Sequence, residues 1–289
     1  MKQEIKQAID CGRCRDKKYV FVNQKGKVQA EACSCAECKL CEGRRRIFEE
    51  TPEGISKIRE CQCSELFKRM ALFNQAAVPG KFVHEDFGSY SVDPPQHRTQ
   101  KNARLISEKF IKDYVDKKAG FHRENYSQGL IYMGAPGLGK THLVISVIKE
   151  LVMQHGVECK FVDFFELLRD IRHGYGEDIS EKDFIDPYVG VQVLVIDELA
   201  KGRNTDWELT ILDHFISTRY NDDDKVTLVT TNFSDKLENP VAPASRNDKQ
   251  GLSNAYSRFT LEEKVGARIH SRLMEMCKKV NLEGKDYRR

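Results

Sequence analysis

The sequence predicts an α/β fold with a small cysteine-rich module in front of it. A glycine-rich stretch near the middle of the chain lies between the pattern of a buried strand and the pattern of a helix. Farther along, a second apolar strand pattern runs directly into two carboxylates. Eight of the ten cysteines fall between Cys11 and Cys63. The 289 residues suffice for one α/β domain and one such module.

The glycine-rich stretch at residues 134–141 matches the phosphate-binding pattern G-x-x-x-x-G-K-[ST] at every fixed position. Its glycines let successive backbone N–H groups point at phosphates, and the N-terminus of the following helix adds a partial positive charge. We expect Lys140 to reach the β- and γ-phosphates of ATP, and Thr141 to coordinate Mg²⁺. The predicted nucleotide contacts are Gly134, Ala135, Pro136, Gly137, Leu138, Gly139, Lys140, Thr141 and His142, together with Asp197 of the next motif.

The second apolar strand, at residues 193–196, is followed by Asp197 and Glu198. Two carboxylates at the end of a buried strand are typical of an ATPase when they follow a phosphate-binding loop. We assign Asp197 to Mg²⁺, bound through water, and Glu198 to the polarisation of the attacking water.

The cysteine-rich module contains two copies of one pattern, at residues 11–35 and 38–63. Each copy has C-x-x-C, a spacer patterned as a β-hairpin with glycine at its turn, and C-x-C. Four thiolates complete a tetrahedral Zn²⁺ shell, and a copy too small for its own core gains folding energy from the metal. Sequential pairing predicts two zinc ions, one held by Cys11, Cys14, Cys33 and Cys35 and the other by Cys38, Cys41, Cys61 and Cys63.

The spacing leaves alternatives open for this module. A cross-braced pairing of the two copies fits the same spacing, and an iron–sulfur cluster is another possible occupant. The basic residues 44–46 fit a nucleic-acid contact, although such a run is more often a solvated face.

Composition and the ends of the chain narrow the classes of function. A net charge of +3 neither requires nor excludes nucleic-acid binding. The first residues lack the apolar core of a signal peptide, and no run approaches the ~20 apolar residues of a membrane span. We therefore expect a cytoplasmic protein that does not bind membranes.

The last predicted helix, at residues 261–277, carries Arg268 and Arg272 four residues apart on one face. An arginine in this place can neutralise charge on the γ-phosphate bound by a neighbouring subunit. The alternative is a surface arginine paired with Glu262, Glu263 or Glu275.

The order of the motifs at residues 134–143, 193–199, 210–221, 229–232 and 266–273 resembles the DnaC/DnaI group of bacterial helicase loaders. The resemblance covers roughly residues 80–287. It implies an AAA+ ATPase core whose parallel strands have the order 5-1-4-3-2, with no helical lid at the C-terminal end. It also implies ATP-controlled self-assembly, binding to single-stranded DNA, and delivery of a DnaB-type replicative helicase onto that DNA.

The resemblance assigns further residues. Asn232, at the end of the strand at residues 226–231, would position the attacking water, and Arg272 would be the arginine finger with Arg268 beside it. The DNA contacts would lie at residues 164–175, where Arg169, Arg172 and His173 are available. DnaI-like loaders are similar in having a zinc-bound N-terminal domain that engages the helicase, but the doubled cysteine pattern is not something the group implies.

We predict three regions: the zinc module at residues 1–63, a helical linker at residues 64–81 and the AAA+ ATPase at residues 82–289. The leading hypothesis is a helicase loader. An IstB-like transposition helper would have nearly the same core and is the alternative. A zinc-dependent nucleic-acid adaptor that binds nucleotide without turnover is a third hypothesis, which Glu198 disfavours.

Overall fold

Two antiparallel hairpins open the described part of the chain. The structure is a computed structural model that describes residues 11–50, 54, 56–92, 98–120, 129–174, 180–236, 259–284 and 286–287. The hairpins comprise β1 (Tyr19–Gln24) with β2 (Lys27–Ala32), and β3 (Arg46–Glu50) with β4 (Ser56–Glu60). Lys25 and Gly26 join β1 to β2 with φ values of 51° and 79°. Positive φ at both central residues produces the turn that matches the twist of the strands.

The larger part of the chain alternates helices and strands. Its elements are α1 (Ser64–Gln75), α2 (Arg98–Lys118), β5 (Gly129–Met133), α3 (Lys140–His155), β6 (Cys159–Asp163), α4 (Phe164–Gly174), α5 (Glu181–Val189), β7 (Val193–Leu199), α6 (Asp206–Tyr220), β8 (Val226–Thr231), α7 (Leu261–Val265), α8 (Ala267–Met276) and β9 (Lys278–Asn281). No helix in the described ranges is long and apolar enough to cross a membrane.

The strands of the core form one parallel sheet in the order β6-β7-β8-β5-β9, as far as the described residues extend. If β5, the strand before the phosphate-binding loop, is numbered 1, then β6 to β9 are strands 2 to 5. Read from the β9 edge, the order is 5-1-4-3-2. The expected AAA+ topology is therefore confirmed. Because β5 and β8 lie side by side, the phosphate-binding loop after β5 and the end of β8 meet at the same edge of the sheet.

Both faces of the sheet are covered, as expected for parallel strands. Alternate residues of β5 enter different cores: Leu130 and Tyr132 pack on the side of α1, α2 and α3, whereas Ile131 and Met133 pack on the side of α4, α5, α6 and α8. The first hairpin joins the α1 side through the buried Val28 and other side chains.

Arg219 of α6 is a buried cation that braces the sheet. Its side chain is fully inaccessible, and the guanidinium donates to Thr227 Oγ1 (2.9 Å), to Val189 O (3.0 Å) and to Val191 O (2.9 Å). Burial lowers its pKa to about 10. The contacts tie the segment before β7 to β8, so this arginine of the motif at residues 210–221 is structural.

The helix predicted at residues 261–277 is interrupted, which corrects that expectation. Gly266, between α7 and α8, has φ 82° and ψ 154°, a backbone conformation that is essentially restricted to glycine. The break ends α7 after one capped turn, and α8 begins at Ala267. Arg268 and Arg272 both remain on α8.

Candidate nucleotide site and cysteine clusters

The phosphate-binding loop turns between β5 and α3 on glycines with positive φ: 141° at Gly134, 83° at Gly137 and 82° at Gly139. Leu138 is buried and anchors the loop to the core. The Nζ atom of Lys140 donates to Gly134 O and Ala135 O, at 2.7 Å each. Pro136 lies in the same turn. The lysine thus folds back across the loop that its sequence pattern assigns to phosphate.

Two segments distant in sequence pack so closely on this loop that its glycines leave no room for a side chain. A Cβ atom on Gly137 would lie 1.9 Å from Asp286 Oδ1, and one on Gly134 would lie 2.1 Å from Leu282 O. On Gly139 it would lie 2.7 Å from the ring of Tyr90. Tyr90 and the segment after β9 therefore enclose the loop, and no local sequence pattern pointed to either.

Asp197 lies at the centre of a hydrogen-bond network. Its Oδ1 atom accepts from Thr141 Oγ1 at 2.9 Å and from Thr230 Oγ1 at 2.6 Å. Burial raises the pKa of Asp197 to about 6, and the two hydroxyl donors oppose that rise. The structure thus brings both predicted Mg²⁺ ligands together. Thr230 was missed by sequence reasoning, although its place on β8, the strand beside β7, was a usable signal.

Glu198 has a left-handed backbone, with φ 54°, which is rare for a residue with a side chain. Its N–H donates to Thr230 Oγ1 at 3.0 Å, so one hydroxyl bonds to both acidic residues. The carboxylate forms an ion pair with Lys201, and both side chains are partly exposed. Backbone strain of this kind concentrates at functional sites. Lys201 is a second residue that the sequence did not single out.

His142, the residue after the phosphate-binding pattern, contacts the segment before α2. Its Nε2 atom lies 2.8 Å from Asp86 O and 3.3 Å from Ser89 Oγ, and its ring meets Tyr90 edge to face at 5.0 Å between centroids. The segment at residues 84–90 therefore lies along the start of α3.

The two C-terminal arginines share one carboxylate. Arg272 Nη1 donates to Asp213 Oδ1 at 3.0 Å and also contacts Ser217 Oγ, while Arg268 Nη2 lies 3.5 Å from Asp213 Oδ2. Arg268 is 70% exposed and Arg272 only 23%.

Asn232, half-buried, directly follows β8.

The three candidate DNA contacts lie on α4, whereas Tyr175 of the predicted segment is outside the described residues. Arg169 and His173 are exposed. Arg172 bonds to the buried Glu208 at 2.8 Å and lies over the ring of Trp207 at 4.6 Å. Arg172 therefore fastens α4 to α6 in this structure.

Each copy of the cysteine pattern brings its own four thiols together, with all Sγ atoms of a set within 4.8 Å of one another. In the first set Cys11 and Cys33 are 3.8 Å apart; in the second, Cys38 and Cys61 are 3.7 Å apart. The Sγ separation in a tetrahedral zinc shell is about 3.8 Å. The grouping agrees with sequential pairing and not with the cross-braced alternative. The two groups are Cys11, Cys14, Cys33 and Cys35, and Cys38, Cys41, Cys61 and Cys63.

The surroundings of these thiols suit a cation. Backbone N–H groups lower the pKa of Cys33 to about 6 and that of Cys38 to about 7. The Arg45 N–H also donates to Cys41 Sγ at 3.3 Å. In the opposite direction, hydrogen bonding to Cys14 raises the pKa of Cys35 to about 12. The donor set and its spacing fit Zn²⁺.

Comparisons with known proteins agree with this geometry. The family described as IstB-like ATP binding protein matches residues 96–237. The uncharacterized protein YqaM of Bacillus subtilis is 26% identical over 167 residues, which are 56% of this chain and 50% of YqaM. The replicative helicase loader DnaC of Escherichia coli K12 is 23% identical over 155 residues, 53% of this chain and 57% of DnaC. The chain thus spans about half the length of these curated relatives.

A solved structure supports the fold. The crystal structure of the DnaC helicase loader superposes with a TM-score of 0.51 at 22% identity, covering 70% of this chain and 99% of that one. At this identity the likeness concerns the fold alone. The phosphate-binding loop, the carboxylates beside it and the match over residues 96–237 lead to one conclusion: this chain carries an ATP-binding domain that has the AAA+ fold and is similar to the IstB-like family.

Proposed function

We propose that this protein is an ATPase that loads a DnaB-type replicative helicase onto single-stranded DNA. In this proposal the AAA+ core assembles with further copies on ATP and DNA, and the zinc-bound cysteine module engages the helicase. The proposal unites the two parts of the chain in one activity. It rests chiefly on the physical connection between the cysteine module and the helix of the phosphate-binding loop.

That connection is made by Lys149, two turns beyond the loop on α3. Its Nζ atom donates to Phe82 O and Val83 O, both at 2.9 Å, and to Glu85 O at 2.7 Å. It also lies 4.6 Å from the ring centroid of Phe21 in the first hairpin. Since α3 begins at the nucleotide, any shift of α3 on ATP binding is passed to the hairpin. The start of the nucleotide site is thereby connected to the cysteine module through its first hairpin.

The hydrolytic step would use the residues around Asp197. Bound Mg²⁺ would neutralise phosphate charge, with Thr141 and Asp197 as the residues that hold it. Glu198 would polarise the attacking water, which requires its carboxylate to leave Lys201. Asn232 would orient that water. Arg272, with Arg268 beside it, would reach the neighbouring subunit's nucleotide after exchanging Asp213 for phosphate, so that hydrolysis depends on assembly.

Zinc would complete the shells of the two cysteine clusters and supply folding energy to hairpins that have little core of their own. The DNA contacts would come from Arg169, Arg172 and His173 on α4, where Arg172 would have to leave Glu208. Neutralisation of DNA phosphates by these side chains would release counterions and so make DNA binding salt-dependent.

The direct test is capture of a purified DnaB-type helicase by the full-length protein, with zinc bound and after chelation. Zinc-dependent capture, together with ATP turnover that is lost in Lys140→Ala, would support the proposal. If the zinc-loaded protein binds ATP but captures no helicase, the loader proposal is wrong.

The family match favours a second candidate. An IstB-like helper would use the same ATPase core to direct a transposase, and the core does not separate the two roles. Capture of the transposase of an IS21-type element, in place of the helicase, would identify this role.

A further inference from the structure

The two hairpins of the cysteine module are built to the same plan but differ in what covers them. Phe21 and Phe48 stand at the same distance from the second cysteine of their copies, and each has a direct cross-strand neighbour: Ala30 and Ile58 respectively. Equivalent backbone bonds close both hairpins, from Cys33 N to Lys18 O and from Cys61 N to Arg45 O, each 2.9 Å long. The Phe48–Ile58 face is therefore the counterpart of the Phe21–Ala30 face.

In the first copy this face is covered by a helix. The ring of Phe73 on α1 packs on Phe21 with centroids 4.6 Å apart. The next residue, Asn74, binds the outer edge of β2: its Oδ1 accepts from Ala30 N at 2.7 Å and its Nδ2 donates to Ala30 O at 3.3 Å. A lysine, Lys149, lies over the other side of Phe21. The cover thus consists of an aromatic ring, an amide and a cation.

In the second copy no described part of the chain covers the same face. Phe48 and Ile58 are each 60% exposed, and they stand side by side across β3 and β4. A solvent-exposed aromatic–aliphatic pair on a two-stranded sheet gains much from coverage, because aromatic side chains dominate protein interfaces. The neighbouring helix α1 contacts this copy at Arg45, which lies over the ring of Phe67, and at Glu60, which bonds to Lys68 and Ser64.

We infer that the Phe48–Ile58 face is the surface by which the cysteine module docks a helix of its protein partner. This inference rests on the proposed function, in which that partner is the replicative helicase. The residues that cover the first copy indicate what the partner would present. We expect a helix with an aromatic side chain followed by asparagine or glutamine.

An acidic residue beside Phe48 predicts the charge of the partner. Glu50 lies on the same face as Phe48, two residues along β3, and is exposed. The first copy has the neutral Asn23 at this position. A partner lysine or arginine over Phe48 would repeat the position of Lys149 over Phe21 and would meet the Glu50 carboxylate. The partner is therefore expected to be basic beside Phe48, on the docking helix or on an element next to it, as Lys149 of α3 stands beside α1 in the first copy.

The test compares the affinity of full-length variants for a purified DnaB-type helicase. Phe48→Ser with Ile58→Ser should weaken binding by about thirtyfold or more, as expected for central anchor residues. Phe48→Tyr with Ile58→Val should retain it, and Glu50→Lys should weaken it by about threefold. Leu105→Ser, at a 52% exposed position of α2, is the matched control and should bind as the wild type does. Metal content measured for each variant verifies that both clusters are intact.

The outcomes separate this inference from the function on which it rests. If the wild type binds the helicase and the double serine variant binds equally well, the docking face is wrong and the loader proposal stands. If the wild type binds the IS21-type transposase instead, and the serine variant loses that binding, the loader is wrong and the face stands. If the wild type binds neither protein, both are wrong.

Discussion

The two cysteine repeats have one backbone plan and opposite surroundings. In the first, Val28 and Ala30 are 1% and 4% exposed beneath α1; in the second, the residues of β4 all face solvent. A metal-closed hairpin needs few contacts to hold its shape, because the ligands replace a core. The difference shows that duplication of such a unit lets one copy become part of the scaffold while the other presents a surface.

The strongest test of this contrast removes one ligand from each copy. Cys14→Ser should lower the Tm of the whole protein by about 5–10 °C, because the first hairpin is packed into the core of the ATPase. The equivalent Cys41→Ser should leave the main transition within about 2 °C of the wild type. Differential scanning calorimetry at saturating zinc measures both Tm values. Equal shifts in Tm would contradict the distinction between a first copy that is part of the scaffold and a second copy that presents a surface.

A second pair of variants compares the matched aromatic residues. Phe21→Ala should lower the free energy of unfolding by about 2 kcal/mol, since the ring is half-buried between Phe73 and Lys149. Phe48→Ala should change it by less than about 0.5 kcal/mol. Urea denaturation of the two variants in parallel gives both values. If Phe48→Ala lowered the free energy of unfolding as much as Phe21→Ala, the second face would be covered by another part of the chain.

Nucleotide binding should slow amide hydrogen exchange in the first copy of the cysteine module and not in the second. Because Lys149 connects α3 to the first hairpin, a non-hydrolysable ATP analogue is expected to slow amide hydrogen exchange in β1 and β2 by about fivefold. Exchange in β3 and β4 should stay as it was. Lys140→Ala, which loses the phosphate contact, is the control and should show no protection. Equal protection of both hairpins would argue for a different route of coupling.

The smallest expected effect concerns pH. Burial lowers the pKa of Lys149 to about 8, while a lysine in the unfolded chain titrates near 10.4. Between these values the unfolded state holds the proton that the folded state has released, so stability gains from Lys149 as the pH rises from about 8 to about 10.

Lys149→Met should therefore lack this part of the pH dependence. The difference in free energy of unfolding between wild type and variant, followed from pH 7.5 to about 10, is the measurement. Lys57→Met, on the exposed second hairpin, serves as the control. A constant difference across this range would show that Lys149 keeps its proton when folded.

Much of the fold could be predicted because its signals are local. Short apolar runs marked β5 to β8, and the fixed positions of the phosphate pattern located both the loop and Lys140. The single helix predicted across Gly266 failed because apolar spacing continues through the break, and only the backbone conformation of that glycine shows it.

The remaining site residues depend on contacts between distant segments. Tyr90 packs on Gly139, and Thr230 bonds to Asp197, only because the sheet and the connection before α2 bring them together. Likewise, the sequence could not distinguish the covered hairpin from the exposed one. Periodicity tells which face of a strand is apolar, but not what covers that face. The docking of one hairpin and the exposure of the other follow from where α1 runs.

The left-handed backbone of Glu198 sets stability against activity at a single position. Glycine adopts this conformation without steric penalty, so Glu198→Gly would relieve strain of about 1 kcal/mol and favour the folded state. The same change would remove the carboxylate beside the phosphate-binding loop. Screens that select only for thermal resistance would therefore tend to remove this carboxylate.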